Sequence, residues 1–173
     1  MKEKIGLGRK PLFLAVLFIL SVFCVGRQPG VLTAEAADTY TSGVWEYTIL
    51  DDGTAEITGY DYLEDLGGGS LTVPSTLGGR RVTSIGANAL KYCMKTSVTV
   101  PEGVTRIGSY AFSYTGIERI SLPSTLQELG IGVFQRSTEL QEIAAASGNR
   151  YFSSEHGVLF NKAKTVLYAC PGG

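Results

Sequence analysis

The chain is 173 residues long and nearly neutral, with 15 Lys and Arg against 16 Asp and Glu and a hydrophobic fraction of 44%. That length and apolar content suffice for one domain with a core. Charges scattered without a Lys/Arg cluster exclude the electrostatic footprint of a binder of nucleic acid or of an anionic membrane surface.

The first 36 residues follow the plan of a secretory signal peptide: Lys2, Lys4, Arg9 and Lys10 precede an uncharged stretch from Pro11 to Gly26. The apolar part, Leu12 to Val25, is shorter than the roughly 20 residues a membrane-crossing helix needs. Ala34-Glu35-Ala36 supplies the small residues of a cleavage site, leaving Ala37 or Asp38 as the new N-terminus. Lipidation at Cys24 is disfavoured because bulky Phe23 precedes it. Cleavage leaves 10 basic and 14 acidic side chains, a net charge of −4, and contact with a membrane is expected only through the signal segment. Only Cys93 and Cys170 survive, too few for a disulfide framework, with a single bridge left open. No Asn-x-Ser/Thr acceptor occurs.

Residues 37–70 read as an N-terminal cap and linker. Trp45, Tyr47 and Ile49 alternate with Glu46 and Thr48, then Asp51-Asp52-Gly53-Thr54 turns the chain into Ala55-Glu56-Ile57, a hairpin pattern. A repeat array exposes an apolar face at its end, and this hairpin is placed to cover it. Gly59 to Ser70, with Gly67-Gly68-Gly69, reads as a flexible connection.

Residues 71–147 carry an internal repeat. Val82-Thr-Ser-Ile85-Gly86-Ala-Asn-Ala89-Leu90 recurs as Val104-Thr-Arg-Ile107-Gly108-Ser-Tyr-Ala111-Phe112 and as Leu126-Gln-Glu-Leu129-Gly130-Ile-Gly-Val133-Phe134, each copy 22 residues after the last. A strand-like half repeats too: Leu71-Thr-Val73-Pro74, Val98-Thr-Val100-Pro101, Ile120-Ser-Leu122-Pro123, then Ile143-Ala-Ala145 after one extra residue. Ile117-x-x-Ile120-x-Leu122 has the spacing of a leucine-rich repeat. Ile120 and Leu122 then point inward and Arg119 and Ser121 outward. A single coil cannot bury its own apolar edge, so stacking is required, and Ile85, Ile107 and Leu129 should form one buried ladder. Gly86, Gly108 and Gly130 share one position, where either a positive φ or a close backbone approach would demand glycine. Pro101 and Pro123 end their strands by removing a ladder donor.

Residues 148–173 close the chain with a second hairpin pattern, Val158-Leu-Phe160 and Val166-Leu-Tyr168 around Asn161-Lys-Ala-Lys-Thr165. The expected fold is therefore a β-rich solenoid of leucine-rich-repeat type, with coils of about 22 residues and terminal hairpins.

Three phrases carry a resemblance to a known family: Leu71 to Gly86 (LTVPSTLGGRRVTSIG), Ile107 to Phe112 (IGSYAF) and Gly157 to Lys162 (GVLFNK). With the flanking hairpins, residues 44–173 resemble the BspA-type leucine-rich repeats of bacterial secreted and surface proteins. The resemblance implies secretion or surface attachment and adhesion to host proteins or other cells. It also implies that the third phrase leads into further repeats, which makes a short or truncated array one reading of the chain. Two departures stand out: Lys95 replaces the apolar residue supplied by Ile117 and Leu140, and Leu90 replaces the aromatic found as Phe112 and Phe134. A looser first coil is expected from them.

The groups an enzyme would need are sparse. His156 is the only histidine, so two-His metal motifs are impossible within the chain, and it lies in an expected turn beside Gly157. Cys93 follows the repeated Ala-Leu/Phe pocket and reads as a small buried hydrophobe, while Cys170 has no repeat position to compare with. The carboxylates Asp51 and Asp52, and Asp61, Glu64 and Asp65, lie in polar turn or linker sequence and read as solvated. Neither a calcium-loop spacing nor a phosphate-binding Gly-rich loop is present, and no cofactor is expected. Tyr110 and Tyr114 flank Phe112 and either face solvent as contact residues or pack between coils. The expected activity is non-catalytic binding of an extracellular or host macromolecule, most simply a protein. The candidate surface is the outward strand row Thr72, Thr99, Ser121 and Ala144 with neighbours Arg119 and Glu142. Two other readings stand beside it: a structural spacer within a larger surface protein, and a small extracellular hydrolase.

Overall fold

In the computed structural model the described residues are 38–171, so the signal peptide expected over residues 1–36 lies outside them. Among the described residues there is strand and turn but no helix, and thus none long and apolar enough to cross a membrane.

The chain opens with an antiparallel meander of β1 (Thr39–Ser42), β2 (Trp45–Ile49) and β3 (Ala55–Tyr60). The turn between β2 and β3 is closed by Asp52, whose Oδ1 accepts hydrogen bonds from the Thr54 amide at 2.9 Å and hydroxyl at 2.6 Å. The simple alternation expected here is broken by a bulge that leaves Thr58 extra in β3. Tyr47 and Thr48 are both buried, and the Thr48 hydroxyl has no hydrogen-bond partner among the described residues.

From residue 70 onward each coil gives one strand to each of two sheets. The first sheet takes β4 (Ser70–Thr72), β7 (Ser97–Thr99), β9 (Arg119–Leu122) and β11 (Glu142–Ala145), all parallel, in the order β11-β9-β7-β4. The second takes β6 (Arg80–Ile85), β8 (Arg106–Ile107) and β10 (Glu128–Leu129) in parallel, with short β5 (Thr76–Leu77) folded back on β6. The N-terminal meander joins this second sheet, because β3 pairs with β6 in parallel. It thus covers the first coil by extending the ladder.

The repeated apolar positions lie in register between the two sheets. Ile57, Ile85 and Ile107 are completely buried and, with Leu129, form one continuous ladder. Leu129, its last rung, is only half-buried. Opposite them, Leu71, Val98, Ile120 and Ile143 face one another across β4, β7, β9 and β11. At roughly 1.5 to 3 kcal/mol for each fully buried side chain, these rows are what a lone coil would forfeit.

Glycine is required at Gly108 and Gly130 by close approach and not by backbone sign. A Cβ at Gly108 would lie 2.6 Å from the Ala87 nitrogen, and one at Gly130 would lie 2.3 Å from the Ser109 nitrogen. Positive φ falls instead on two other repeated positions in the turns, at Asn88, Tyr110 and Gly132 and again at Tyr92, Tyr114 and Arg136. These turns also bond from coil to coil: Leu90 N donates to Ala111 O at 2.9 Å and Phe112 N to Val133 O at 2.9 Å. Phe112 and Phe134 stack between coils with ring centroids 6.0 Å apart, while Leu90 fills the same place in the first coil and is fully buried.

The C-terminal hairpin is one part of a three-stranded antiparallel sheet of β12 (Phe152–Glu155), β13 (Val158–Asn161) and β14 (Leu167–Ala169). Buried Asn149 pins it to the array, its amide donating to Pro123 O and Leu126 O, both at 2.9 Å, while its oxygen accepts from the Tyr151 and Phe152 amides. The Ile143 amide donates to Gly157 O at 3.0 Å, so the hairpin also sits against β11.

Candidate binding surfaces

The row singled out from the sequence is brought together on the outer face of the first sheet. Thr72 pairs with Thr99, Thr99 with Ser121 and Ser121 with Ala144, and a second column runs Ser70, Ser97, Arg119, Glu142. Thr72, Thr99, Arg119, Ser121 and Glu142 are exposed, whereas Ala144 is half-buried and departs from the outward row expected. Arg119 reaches Glu118 at 3.7 Å and Glu142 at 3.9 Å, both long contacts in solvent that fix the guanidinium only loosely. The face is flat, hydroxyl-rich and free of aromatic rings.

The turn edge differs in chemistry. Tyr92 and Tyr114, related by the repeat, are 45% and 47% exposed, and their ring centroids lie 5.7 Å apart. Tyr62 continues the row, 6.1 Å from Tyr92. Lys91 holds its ammonium 4.9 Å from the Tyr92 ring centroid and 5.4 Å from that of Tyr114. Tyr110 is exposed as well, its ring lying over Gly132, where a Cβ would meet it at 2.6 Å. The two readings of Tyr110 and Tyr114, solvent-facing and packed between coils, are thus both partly realised. Tyr92 went unnoticed in the sequence although it stands 22 residues before Tyr114. Tyr62 had no repeat position to reveal it.

Beside this edge, Lys95 points into the first coil and is buried. Its ammonium donates to Asp65 at 2.5 Å, and the Tyr60 hydroxyl donates to the other oxygen of the same carboxylate. Asp65 is therefore not a solvated linker residue, and residues 61–69 are fastened to the array and not merely a flexible connection. The Lys95 hydrogen bond, with that from Tyr60, holds the Asp65 carboxyl below its ordinary range; burial, then the Asp65 bond, pushes the Tyr60 phenol up. Burial likewise raises the Cys93 thiol, which occupies the position of Thr115 and Ser137 in later coils. A thiol so held is a poor nucleophile. Cys93 is buried and Cys170 exposed, both free. His156 is exposed in its turn at φ 50°, and among the described residues no three His, Cys, Asp or Glu side chains gather as a metal site.

This architecture, parallel strands stacked coil on coil with glycine at the repeated close approaches, is a leucine-rich-repeat β-solenoid. Residues 70–161 match the model of the BspA type leucine rich repeat region in 6 copies, and the chain belongs to that family. A leucine-rich repeat protein from Bacteroides capillosus ATCC 29799 is 25% identical, with a TM-score of 0.45 over 63% of this chain and 99% of that one. One from Eubacterium ventriosum ATCC 27560 is 19% identical over 79% of this chain and 51% of that one, TM-score 0.37. The pneumococcal vaccine antigen PcpA is 17% identical over 78% and 56%, TM-score 0.36. The chain thus spans about half the length of the last two structures. No curated protein is found to match it.

Proposed function

We propose that the chain is a non-catalytic, adhesion-type binding module, secreted or held at a bacterial cell surface, that engages an extracellular or host protein. The observation that supports this reading most directly is the in-register ribbon Thr72, Thr99, Ser121, Ala144 flanked by Arg119 and Glu142. Successive strands of such a sheet lie about 4.8 Å apart, so the hydroxyls of Thr72, Thr99 and Ser121 face solvent in a regular row that ends at half-buried Ala144. Only Arg119 among them is of a residue type that anchors strong interfaces. Attachment through this face is therefore weak per copy and gains strength from many copies on one surface.

The test is a pull-down from host and bacterial surface proteins with residues 37–173, repeated with the double substitution Arg119→Glu and Ser121→Tyr. Capture that the double variant abolishes at an unchanged thermal midpoint supports the reading. Capture that survives it moves the site off the flat face, and the absence of any captured protein favours a structural spacer.

A further inference from the structure

We propose that the cleft lined by Tyr62 and Tyr92 binds a neutral oligosaccharide. The inference rests on the reading of the chain as an extracellular binding module and gives that module a second ligand class at a different place. Residues that line this cleft, of about 310 Å³, include Glu46, Asp61, Asn88 and Lys91 beside the two rings. Its size is that of a pocket for a small ligand and not of an extended protein interface.

The polar groups around the rings are not used up by one another. One Asp61 oxygen accepts the Leu63 and Glu64 amides at 3.0 and 3.2 Å, and the other accepts nothing from the described residues. Glu46 lies over Gly59, where a Cβ would come within 2.6 Å of its Oε2, so the missing side chain makes room for the carboxylate. Glu46 forms no ion pair among the described residues, and neither does Lys91, which rests on the Tyr92 ring. The cleft therefore offers two carboxylate acceptors, an amide and an ammonium as donors, and the exposed parts of two tyrosine rings.

Charge selects among ligands. A phosphate or sulfate would meet Glu46 and Asp61, and a strongly basic peptide would meet Lys91. A neutral sugar carries hydroxyls that both donate and accept, and C–H edges that suit the electron-rich face of a tyrosine ring. The Tyr62 and Tyr92 rings, with centroids 6.1 Å apart and planes at 61°, form a floor and a wall and not one flat platform. This shape suits a single ring unit held edge and face.

Tyr92 holds φ at 65° and Asn88 at 60°, as the equivalent residues of the later coils do, so the path of the turn and not the ligand sets the backbone beside the cleft.

The experiment presents residues 37–173 to a printed array of neutral and acidic oligosaccharides, together with proline-rich and Lys/Arg-rich peptides. Retained sugars are then titrated calorimetrically in free form. Neutral sugars should be retained, with affinity unchanged from about 0.05 to 0.3 M salt, a range over which exposed charges are progressively screened. Tyr92→Asn keeps a residue that accepts positive φ and should weaken binding about tenfold or more, as should Asp61→Asn. Arg119→Glu should leave sugar binding unchanged. An array with no neutral sugar retained, retention of acidic sugars or peptides alone, or full binding by Tyr92→Asn at an unchanged thermal midpoint overturns the proposal. If the array is empty while the pull-down captures a protein in an Arg119-dependent way, the oligosaccharide site falls and the protein-binding module stands. If both are empty, both readings fall.

Discussion

Lys95 and Ile117 occupy the same place in successive coils, and the two coils close in different ways. In the central coil Ile117 is fully buried within the apolar core. In the first coil the buried side chain is an ammonium, and its solvation is replaced by one carboxylate, Asp65, delivered by residues 61–69 and braced by Tyr60. The interior of a stacked coil is thus apolar by default but accepts charge where a neighbouring segment supplies the counter-charge. The segment gains a fixed position in return, and that position sets Tyr62 beside Tyr92. The looser first coil expected from Lys95 and Leu90 is in this sense a coil with a strap.

The sharpest way to break the comparison is to exchange the two residues. Ile117→Lys puts an ammonium where no carboxylate strap exists, forfeiting about 1.5 to 3 kcal/mol of burial and adding several kcal/mol for an unpaired charge. That is comparable with the whole stability of a domain, so the thermal midpoint should fall by more than about 10 °C or cooperative unfolding should vanish. Lys95→Ile should keep the midpoint within a few degrees, since Asp65 can turn to water, while protection from hydrogen exchange over 61–69 is lost. Equal losses from both substitutions would show that the strap does not compensate the buried ammonium.

Acid should separate the coils less drastically. The Asp65 carboxyl is held below its ordinary value near 3.8 in the folded chain. A depressed carboxylate contributes stability that is complete above the unfolded value and lost as the pH falls through the folded one. Hydrogen exchange across 61–69 should therefore quicken as the pH drops below about 4, after correction for intrinsic rates. Asp52, Glu102 and Glu155 shift in the same direction through hydrogen bonds to Thr54, Ser124 and Lys164. Global stability will consequently fall with them, and the local signature of Asp65 is read by comparison with Asp65→Asn, which should show open 61–69 at every pH. A wild-type segment no better protected than Asp65→Asn above about pH 5 would remove the ion pair as its fastening.

How much of this was visible in the residues follows the same divide. The 22-residue recurrence of Ile85, Ile107 and Leu129 carries the ladder because each coil repeats one packing problem. The row Thr72, Thr99, Ser121 followed from strand alternation, which is equally local. Asp65 and Lys95 are 30 residues apart and belong to no period, so nothing short of the folded coil brings them together. Gly108 was legible as a glycine position but not for its reason, because close approach and positive φ ask for the same residue. The cleft at Tyr62 lies at the seam between cap and first coil, where periodicity stops being informative.

The smallest expected effect concerns the turn edge, where the two coils agree. Tyr92 and Tyr114 hold φ at 65° and 55°, while the third coil has Arg136 at 62°. A non-glycine residue in the left-handed region costs on the order of 1 kcal/mol, and asparagine, whose short polar side chain bonds locally, bears it best. Tyr114→Asn removes a ring pair worth about 0.5 to 1.5 kcal/mol and relieves backbone strain of similar size. The net change should stay within about 1 kcal/mol of zero in urea unfolding. Tyr114→Val loses the same ring but places a β-branched side chain at positive φ, and should be less stable than Tyr114→Asn by about 1 to 2 kcal/mol. The lysine stays seated on Tyr92, so the first coil keeps half of its cation contact in either variant. Equal stability of the valine and asparagine variants would mean that the turn relaxes out of the left-handed region when the ring is removed. The tyrosine stack, and not the chain path, would then be what sets the backbone of this edge.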